Sequence, residues 1–344
     1  MNHQDTKTTA LSNRRGLTRI EVVVVGAVVI VLTAIVLPGI QSARETARST
    51  ECRNNLKEIG ISLYNYHDAH RMYPAGALSW SQFPDLKVAA NVGLQPYLGG
   101  STNMRWYPGD CSWKDEESWW ATVVISYFVC PSHTREGLTR DDFLGSHRRE
   151  LDNTFATTTY IFCKGAGDAW CTSPESIPRN QRGAFDVDAW ITNDDVSDGL
   201  SSTIFVGEGA TGDPWHVCAG AGCTTPVENP LTGSWYLPDQ PYFIPYINTD
   251  KDIDKAGPRA SLFGSTREPM NKNPVTDTLI DSSALSDCRS SAEGGPHRTS
   301  NFRSNHAGGG NFLFGDGSVQ FLSDDIDMRL YRSLSTIAGG EQVD

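Results

Sequence analysis

The residues best suited to chemistry in this chain are alternating carboxylates, cysteines, and a histidine separated by nine residues from an aspartate. Asp250, Asp252 and Asp254 in NTDKDIDKAG occupy alternate positions, as the first ligands of a calcium loop do. Lys255 stands where that loop needs glycine and Ser261 where it needs a bidentate glutamate, so the stretch is not an EF-hand. A second acidic group, Asp194, Asp195 and Asp198 with Asn193, precedes Gly199. Both groups are calcium candidates on a chain of net charge −12, where an acidic loop is more often simply solvated. His306 and Asp316 would work as acid and base only if they shared a cleft with a substrate. No G-x-S-x-G elbow, H-E-x-x-H pair or phosphate-cradling glycine loop accompanies them. No catalytic residue is therefore assigned and enzymatic activity is not expected. Asp316 is expected to shape a turn before Gly317, and His306 to hydrogen-bond nearby backbone.

The cysteines number eight, at 52, 111, 130, 163, 171, 218, 223 and 288, with no C-x-x-C pair. That even number suits disulfides in a compartment that permits them, although connectivity is not readable from spacing. Cys163 with Cys171, and Cys218 with Cys223, lie close enough to close small loops. His216, Cys218 and Cys223 form an alternative metal set, which oxidation of the thiols would consume. The nine tryptophans include the adjacent Trp119 and Trp120. Such rings can stack on sugars, but in a domain of this size most belong to the core. The acidic balance argues against a phosphate-backbone binder, so no nucleic acid partner is expected.

One more carboxylate stands out because of its neighbours. Glu21 lies at the start of GLTRIEVVVVGAVVIVLTAIVLP, and no charged residue occurs from Val22 to Leu37. At about 1.5 Å per residue, a helix from Leu17 to Leu37 spans roughly 30 Å of hydrocarbon. The basic leader, with Lys7, Arg14 and Arg15, should stay in the cytoplasm by the positive-inside rule. This predicts a single pass through the cytoplasmic membrane, with the C-terminal bulk periplasmic or extracellular. An ordinary secretory signal would have a shorter apolar region and a small-residue cleavage site, which is missing after this one. A carboxylate in lipid costs about 2.5–3.5 kcal/mol unless it finds a partner. Cleavage between Gly16 and Leu17 would create a cationic amine at the membrane edge, and the amine of a neighbouring copy could sit beside Glu21.

These residues resemble the type IV prepilin signal: Gly16 followed by LTRIE, then Pro38. The resemblance implies that a prepilin peptidase cuts after Gly16 and methylates Leu17, that Glu21 is the assembly residue, and that Pro38 kinks the helix. Leu17 replaces the usual phenylalanine, and Arg19 stands where an apolar residue is usual. The blocks YNYHDAHRMYP, FVCPS, VSDGLSSTIFVGE and SNHAGGGNFLFGDGSVQFLSDDID are similar to those of a large bacterial family of prepilin-like proteins. That family is filed as a domain of unknown function, and its C-terminal motif corresponds here to His306, Asp316 and Gly317. The implied function is a pilin or pseudopilin subunit of a type IV pilus-like or type II secretion-like assembly. Its partners would be the prepilin peptidase, the membrane, and copies of itself or related subunits, in a filament or at the membrane. Some pseudopilins hold calcium in a loop of the globular domain. The alternative is a membrane-tethered surface protein that binds carbohydrate or calcium and uses the leader only for export.

The elements that must position these residues follow from periodicity. Cys52, Leu56, Ile59, Leu63 and Tyr66 recur at alternating four and three, one apolar stripe on a helix that Pro74 ends. His67 and His70 fall in its last turn, beside free carbonyls. WATVVISYFVCPS, GAFDVDAWI, STIFVGEG and NFLFGDGSVQFL read as strands, the last as a hairpin turning at Gly315-Asp316-Gly317. The predicted organisation is a cleaved leader over 1–16, a transmembrane helix over 17–38 and its extramembrane continuation over 39–73. A globular domain over 74–344 completes it. The fold class is α+β: a long pilin-like helix, membrane-spanning in its first half, packed on an antiparallel β-rich domain with long loops.

Overall fold

A computed structural model of the chain describes residues 18–78, 89–99, 119–133, 137–140, 153–169, 174–220, 222–229, 233–241, 262–276, 289–294 and 299–340. Gly16, Leu17 and the triad Asp250, Asp252 and Asp254 lie outside the described residues. The chain divides into two compact units, Met1–Ala47 and Arg48–Asp344.

In the first unit the described residues are Thr18 and the opening of helix α1, which as a whole runs Arg19–His70. Its start is a reciprocal cap. Thr18 donates its backbone N–H and its hydroxyl to the Glu21 carboxylate at 2.7 and 2.9 Å, and the Glu21 N–H donates to Thr18 Oγ1 at 3.3 Å. The valine-rich run that follows is a poor helix former in water. In hydrocarbon the balance reverses, because a helix satisfies every backbone polar group internally. An 18-residue window here has a mean hydropathy of 3.0 and none of it is buried, so the segment is long and apolar enough to cross a membrane. Thr33 hides its hydroxyl on the Val29 carbonyl at 2.7 Å. The helix continues through Pro38.

In the second unit, α1 carries the predicted stripe. Cys52, Leu56, Ile59 and Leu63 are buried, and Tyr66 is partly so. The helix stops at His70, where Arg71 takes a left-handed φ of 63°. Short helix α2, Ala90–Leu94, follows. The described strands are β1 Leu138–Arg140, β2 Thr154–Thr158, β3 Tyr160–Gly165, β4 Ile204–Glu208, β5 Val217–Cys218, β6 Gln240–Pro241, β7 Phe263–Ser265, β8 Val275–Thr276, β9 Gly309–Phe314 and β10 Val319–Ser323, before helix α3, Met328–Ser333.

The main sheet has five strands in the order β10-β9-β4-β3-β7. It is antiparallel except for β7, which joins β3 in parallel. Strands β3, β4 and β9 are buried along their whole length, because both faces of the sheet are covered. Alternation sorts their side chains. Tyr160, Phe162 and Leu313 point into the cluster that holds the α1 stripe. Ile161, Cys163, Phe312 and Phe314 point into the opposite cluster with Tyr331 of α3. In β4 a register shift between Ile204 and Val206 puts the consecutive Phe205 and Val206 in the same cluster. The order is therefore helix, sheet, helix. Two smaller sheets, β1-β2-β6 and the parallel pair β5-β8, complete the described strands, with β5, β6 and β8 inserted in sequence between strands of the main sheet.

The hairpin β9-β10 forms as expected, with Phe314 and Ser318 closing Gly315-Asp316-Gly317 and Gly317 at φ 78°. Two other predicted strands do not form. WATVVISYFVCPS is built of 3-10 turns at Trp119–Thr122 and Ser126–Phe128. Its apolar residues Ile125 and Phe128 join the core, but Asn55 of α1 donates Nδ2 to the Ser126 and Val129 carbonyls at 3.3 and 3.0 Å. A helix side chain thus does what a neighbouring strand would have done. GAFDVDAWI is broken at Asp188, whose φ is 53°. It keeps only isolated bridges, Ala77 to Val187 and Asp186 to Ala189.

Asn55→Ala removes both side-chain bonds to that segment and should lower the unfolding free energy of the full-length protein by about 1–3 kcal/mol. Denaturant titration in detergent checks this; a change below about 0.5 kcal/mol, the range of surface substitutions, would contradict the assigned role.

Candidate functional site

Where α1 meets the end of β4, four chemically active side chains converge. Cys52 comes from α1, Cys130 from the segment after the 3-10 turn Ser126–Phe128, Glu208 from the last position of β4, and His306 from the loop leading into β9. All four are buried, and one ligand-type atom from each lies within 4.8 Å of the others. Cys52 and Cys130 form a disulfide. His306 Nε2 sits 3.7 Å from Cys130 Sγ and 3.3 Å from Glu208 Oε1.

A carboxylate at 3% exposure must be compensated by donors. Asn311 of β9 supplies two of them, its backbone N–H to Oε2 and its side-chain Nδ2 to Oε1, each at 3.0 Å. The neighbouring strand therefore fixes both oxygens independently of His306. The His306 N–H donates to Ser304 Oγ at 3.1 Å, which sets the loop. Tyr160 of β3 donates to the Cys52 carbonyl at 3.2 Å, and burial pushes its phenol well above the ordinary range.

A cavity of about 10 Å³ adjoins this cluster, lined by Cys130, His133, Thr159, Glu208, Ala210, Ser304 and Asn305. It is about the size of a single water site. On its wall, His133 places Nε2 3.3 Å from Asp239 Oδ1, both side chains 1% exposed. The approach lacks hydrogen-bond alignment, and neither ring nitrogen of His133 has a hydrogen-bond partner. Thr211 fixes Asp239 by donating Oγ1 to Oδ1 at 2.6 Å.

The two halves of the C-terminal motif do not meet each other. His306 faces Glu208 and Cys130 rather than backbone alone, which corrects the expectation for that residue. Asp316 is exposed at the hairpin tip and accepts the Ser318 N–H at 2.8 Å. Each half bears instead on α1. Tyr64 of α1 donates to the Gly315 carbonyl at 2.7 Å. A side chain on Gly317 would meet the Tyr64 ring at 3.1 Å, and one on Gly60 would meet Leu313 at 2.9 Å. Glycine at both positions lets helix and hairpin touch.

Several sequence candidates are placed apart from this site. Asp195 accepts the Thr192 N–H and hydroxyl at 2.7 and 2.8 Å, as part of a capping box. Asp198 accepts the Gly339 and Gly340 N–H groups at 2.6 and 3.1 Å, and Asp194 is exposed. The carboxylates of Asp195 and Asp198 thus serve different backbone segments and do not converge. His70 contacts Tyr97 OH at 2.9 Å and His67 stacks on Tyr73, so this pair separates too.

Of the two short cysteine loops expected, one forms and one does not. Cys163 is a free thiol, not paired with Cys171. Its side chain points into the apolar layer between β3 and α3 and donates to the Ser335 carbonyl at 3.5 Å. Cys218 and Cys223 do close their short loop, which consumes the thiols of the proposed metal set with His216. Lys272 Nζ lies 3.8 and 3.9 Å from the two sulfurs.

The residues missed from sequence are Glu208, Asn311 and the pairing of Cys52 with Cys130. A signal existed. Three of the recognisable blocks each deliver a member of the cluster: FVCPS gives Cys130, VSDGLSSTIFVGE gives Glu208, and SNHAGGGN gives His306.

The family described as Protein of unknown function (DUF1559) matches residues 41–329, most of the chain, and the chain belongs to that family. The matched span includes the whole buried cluster and the hairpin, and begins beyond Glu21 and Pro38. No curated protein and no solved structure matches the chain.

The motif's halves should be energetically unequal. Glu208→Ala strands the Asn311 donors and His306 in the interior and should cost about 3 kcal/mol or more. Asp316→Ala removes one exposed bond and should cost less than about 1 kcal/mol. Equal losses in denaturant titrations of the two variants would refute this ordering. Burial also pushes the Cys163 thiol up to about 12, so the reactive thiolate is scarce in the folded state. At about pH 8.5, where an ordinary thiol is half ionised, Cys163 should resist alkylation until the protein is unfolded. Peptide mass spectrometry of native and denatured samples reads this directly, and rapid native labelling would contradict it.

Proposed function

We propose that the protein is a prepilin-like membrane protein, cleaved after Gly16 by a prepilin peptidase and methylated on Leu17. In this reading it is a pilin or pseudopilin subunit of a type IV pilus-like or type II secretion-like assembly. The globular domain faces the periplasm or the exterior, and no catalytic turnover is assigned to it. The observation that carries the reading is an apolar helix segment with no part buried and a carboxylate, Glu21, in its first turn. Membership of the DUF1559 family, which carries no established function, is compatible with it.

Glu21 has two possible employments, and they can be separated. The Thr18 cap gives one of its oxygens, Oε2, two neutral donors, which anchors the helix start without neutralising the charge. Pairing with the new amine of a neighbouring subunit would neutralise it, worth a few kcal/mol where water is scarce. Glutamine keeps the cap and removes the charge. Glu21→Gln should therefore leave membrane insertion intact while reducing crosslinked ladders of subunits in native membranes by roughly tenfold or more. Unchanged ladders would show that capping is the whole role of Glu21. N-terminal mass spectrometry of the mature protein should find a methylated Leu17, and a retained leader would overturn the processing step.

A further inference from the structure

The buried cluster of Cys52, Cys130, Glu208 and His306 is more than a disulfide with neighbours. We propose that, with the disulfide reduced, these four residues form a tetrahedral site for a zinc-class divalent cation. The disulfide ties α1 to the Cys130 segment, and the metal would tie both to the end of β4 and the loop before β9.

The spacing carries the argument. In a tetrahedral zinc site, bonds of about 2.0–2.3 Å put neighbouring nitrogen and oxygen ligands roughly 3.3 Å apart, and sulfur and nitrogen roughly 3.6 Å. His306 Nε2 lies 3.3 Å from Glu208 Oε1 and 3.7 Å from Cys130 Sγ, so two edges of that tetrahedron already stand. The fourth donor, the Cys52 sulfur, is within 4.8 Å of all the others. The disulfide must open for its two sulfurs to take separate corners. The cavity of about 10 Å³ beside Cys130 and Glu208 gives them room to part.

The donor set chooses the metal. Two thiolates and an imidazole suit a borderline-soft ion, whereas calcium wants six or more oxygens and finds a single carboxylate here. Outer contacts are in place as well. Asn311 orients both oxygens of Glu208, and His133, with a buried unpartnered Nδ1, faces the same cavity.

The chemistry balances with a thiol or phosphine reductant. Two electrons from the reductant and two protons convert the Cys52–Cys130 disulfide to two thiols. A thiol reductant gives up its own protons and becomes a disulfide, while a phosphine becomes its oxide with water supplying both the oxygen and the two protons. Binding the cation then releases both thiol protons to solvent. In an oxidising compartment the sulfurs stay joined and the site is closed to metal. The site therefore reports thiol redox state, whatever the assembly role of the helix.

The test uses full-length protein in detergent, either oxidised or reduced with a phosphine, and titrated with cobalt(II) and then zinc. Reduced protein should take up a single cobalt per chain, with a thiolate-to-cobalt charge-transfer band and tetrahedral visible bands that zinc abolishes. Oxidised protein should show neither. In the reduced state, His306→Gln and Glu208→Gln should weaken binding by about tenfold or more. Cys52→Ser with Cys130→Ser should abolish the band, while Cys218→Ser with Cys223→Ser should retain it. Near-ultraviolet circular dichroism follows the fold throughout. The proposal is overturned by a folded reduced protein without the band, or by equal binding to oxidised protein. It is equally overturned by a band lost with Cys218 and Cys223, by insensitivity to both glutamine variants, or by a reduced protein whose lost tertiary signal zinc does not restore.

Discussion

Everything in the globular unit rests on how one helix face is held against the five-stranded sheet. A helix with only a narrow apolar stripe has little to offer beyond Leu56, Ile59 and Leu63, each worth about 1.5–3 kcal/mol when fully buried. The sheet and the Cys130 segment beside it add specific grips at both ends of that stripe. At one end are the Cys52–Cys130 bond and the bond from Tyr160 to the Cys52 carbonyl. At the other are the close approach at Gly60 and the bond from Tyr64 to the hairpin turn. These positions are separated by some eight to twelve residues, about 12–18 Å of helix. Non-directional burial between them is thereby fixed in register.

The C-terminal motif makes sense in those terms. His306 and the Asp316-Gly317 turn are close in sequence yet serve opposite ends of the same helix face. Strand β9 spans the distance between them, carrying Asn311 toward Glu208 and Leu313 toward Gly60. A histidine and an Asp-Gly pair at fixed separation thus read as two anchor points set by the length of one strand rather than as an acid–base pair. The His306 anchor reaches the helix through Cys130 and is the chemically richer of the two, because a disulfide, an imidazole and a carboxylate share one small space.

What could be read from sequence was whatever a single period or a single turn determines. The α1 stripe followed from spacing alone, and the β9-β10 hairpin from Gly315-Asp316-Gly317 between apolar runs. The segment around Ile125 and Phe128 has strand-like composition, but its carbonyl partners come from Asn55, far away in sequence, and no local pattern encodes that. Strand β3 was missed because YIFCKG is buried on both faces and so shows no polar alternation. Cys163 looked ready for Cys171 by separation, whereas strand alternation turns it into the layer with Tyr331. Glu208 was the least conspicuous, a lone acid ending an apolar strand. Only the tertiary fold shows that it meets His306.

The claim that helix and hairpin form one mechanical unit is tested most directly by native-state hydrogen exchange, resolved over residues 52–66 and 309–323. Coupling through Gly60, Tyr64 and the buried cluster predicts that both segments open together with a common free energy. A hairpin that stays protected while the helix opens separately and at lower cost would contradict the account.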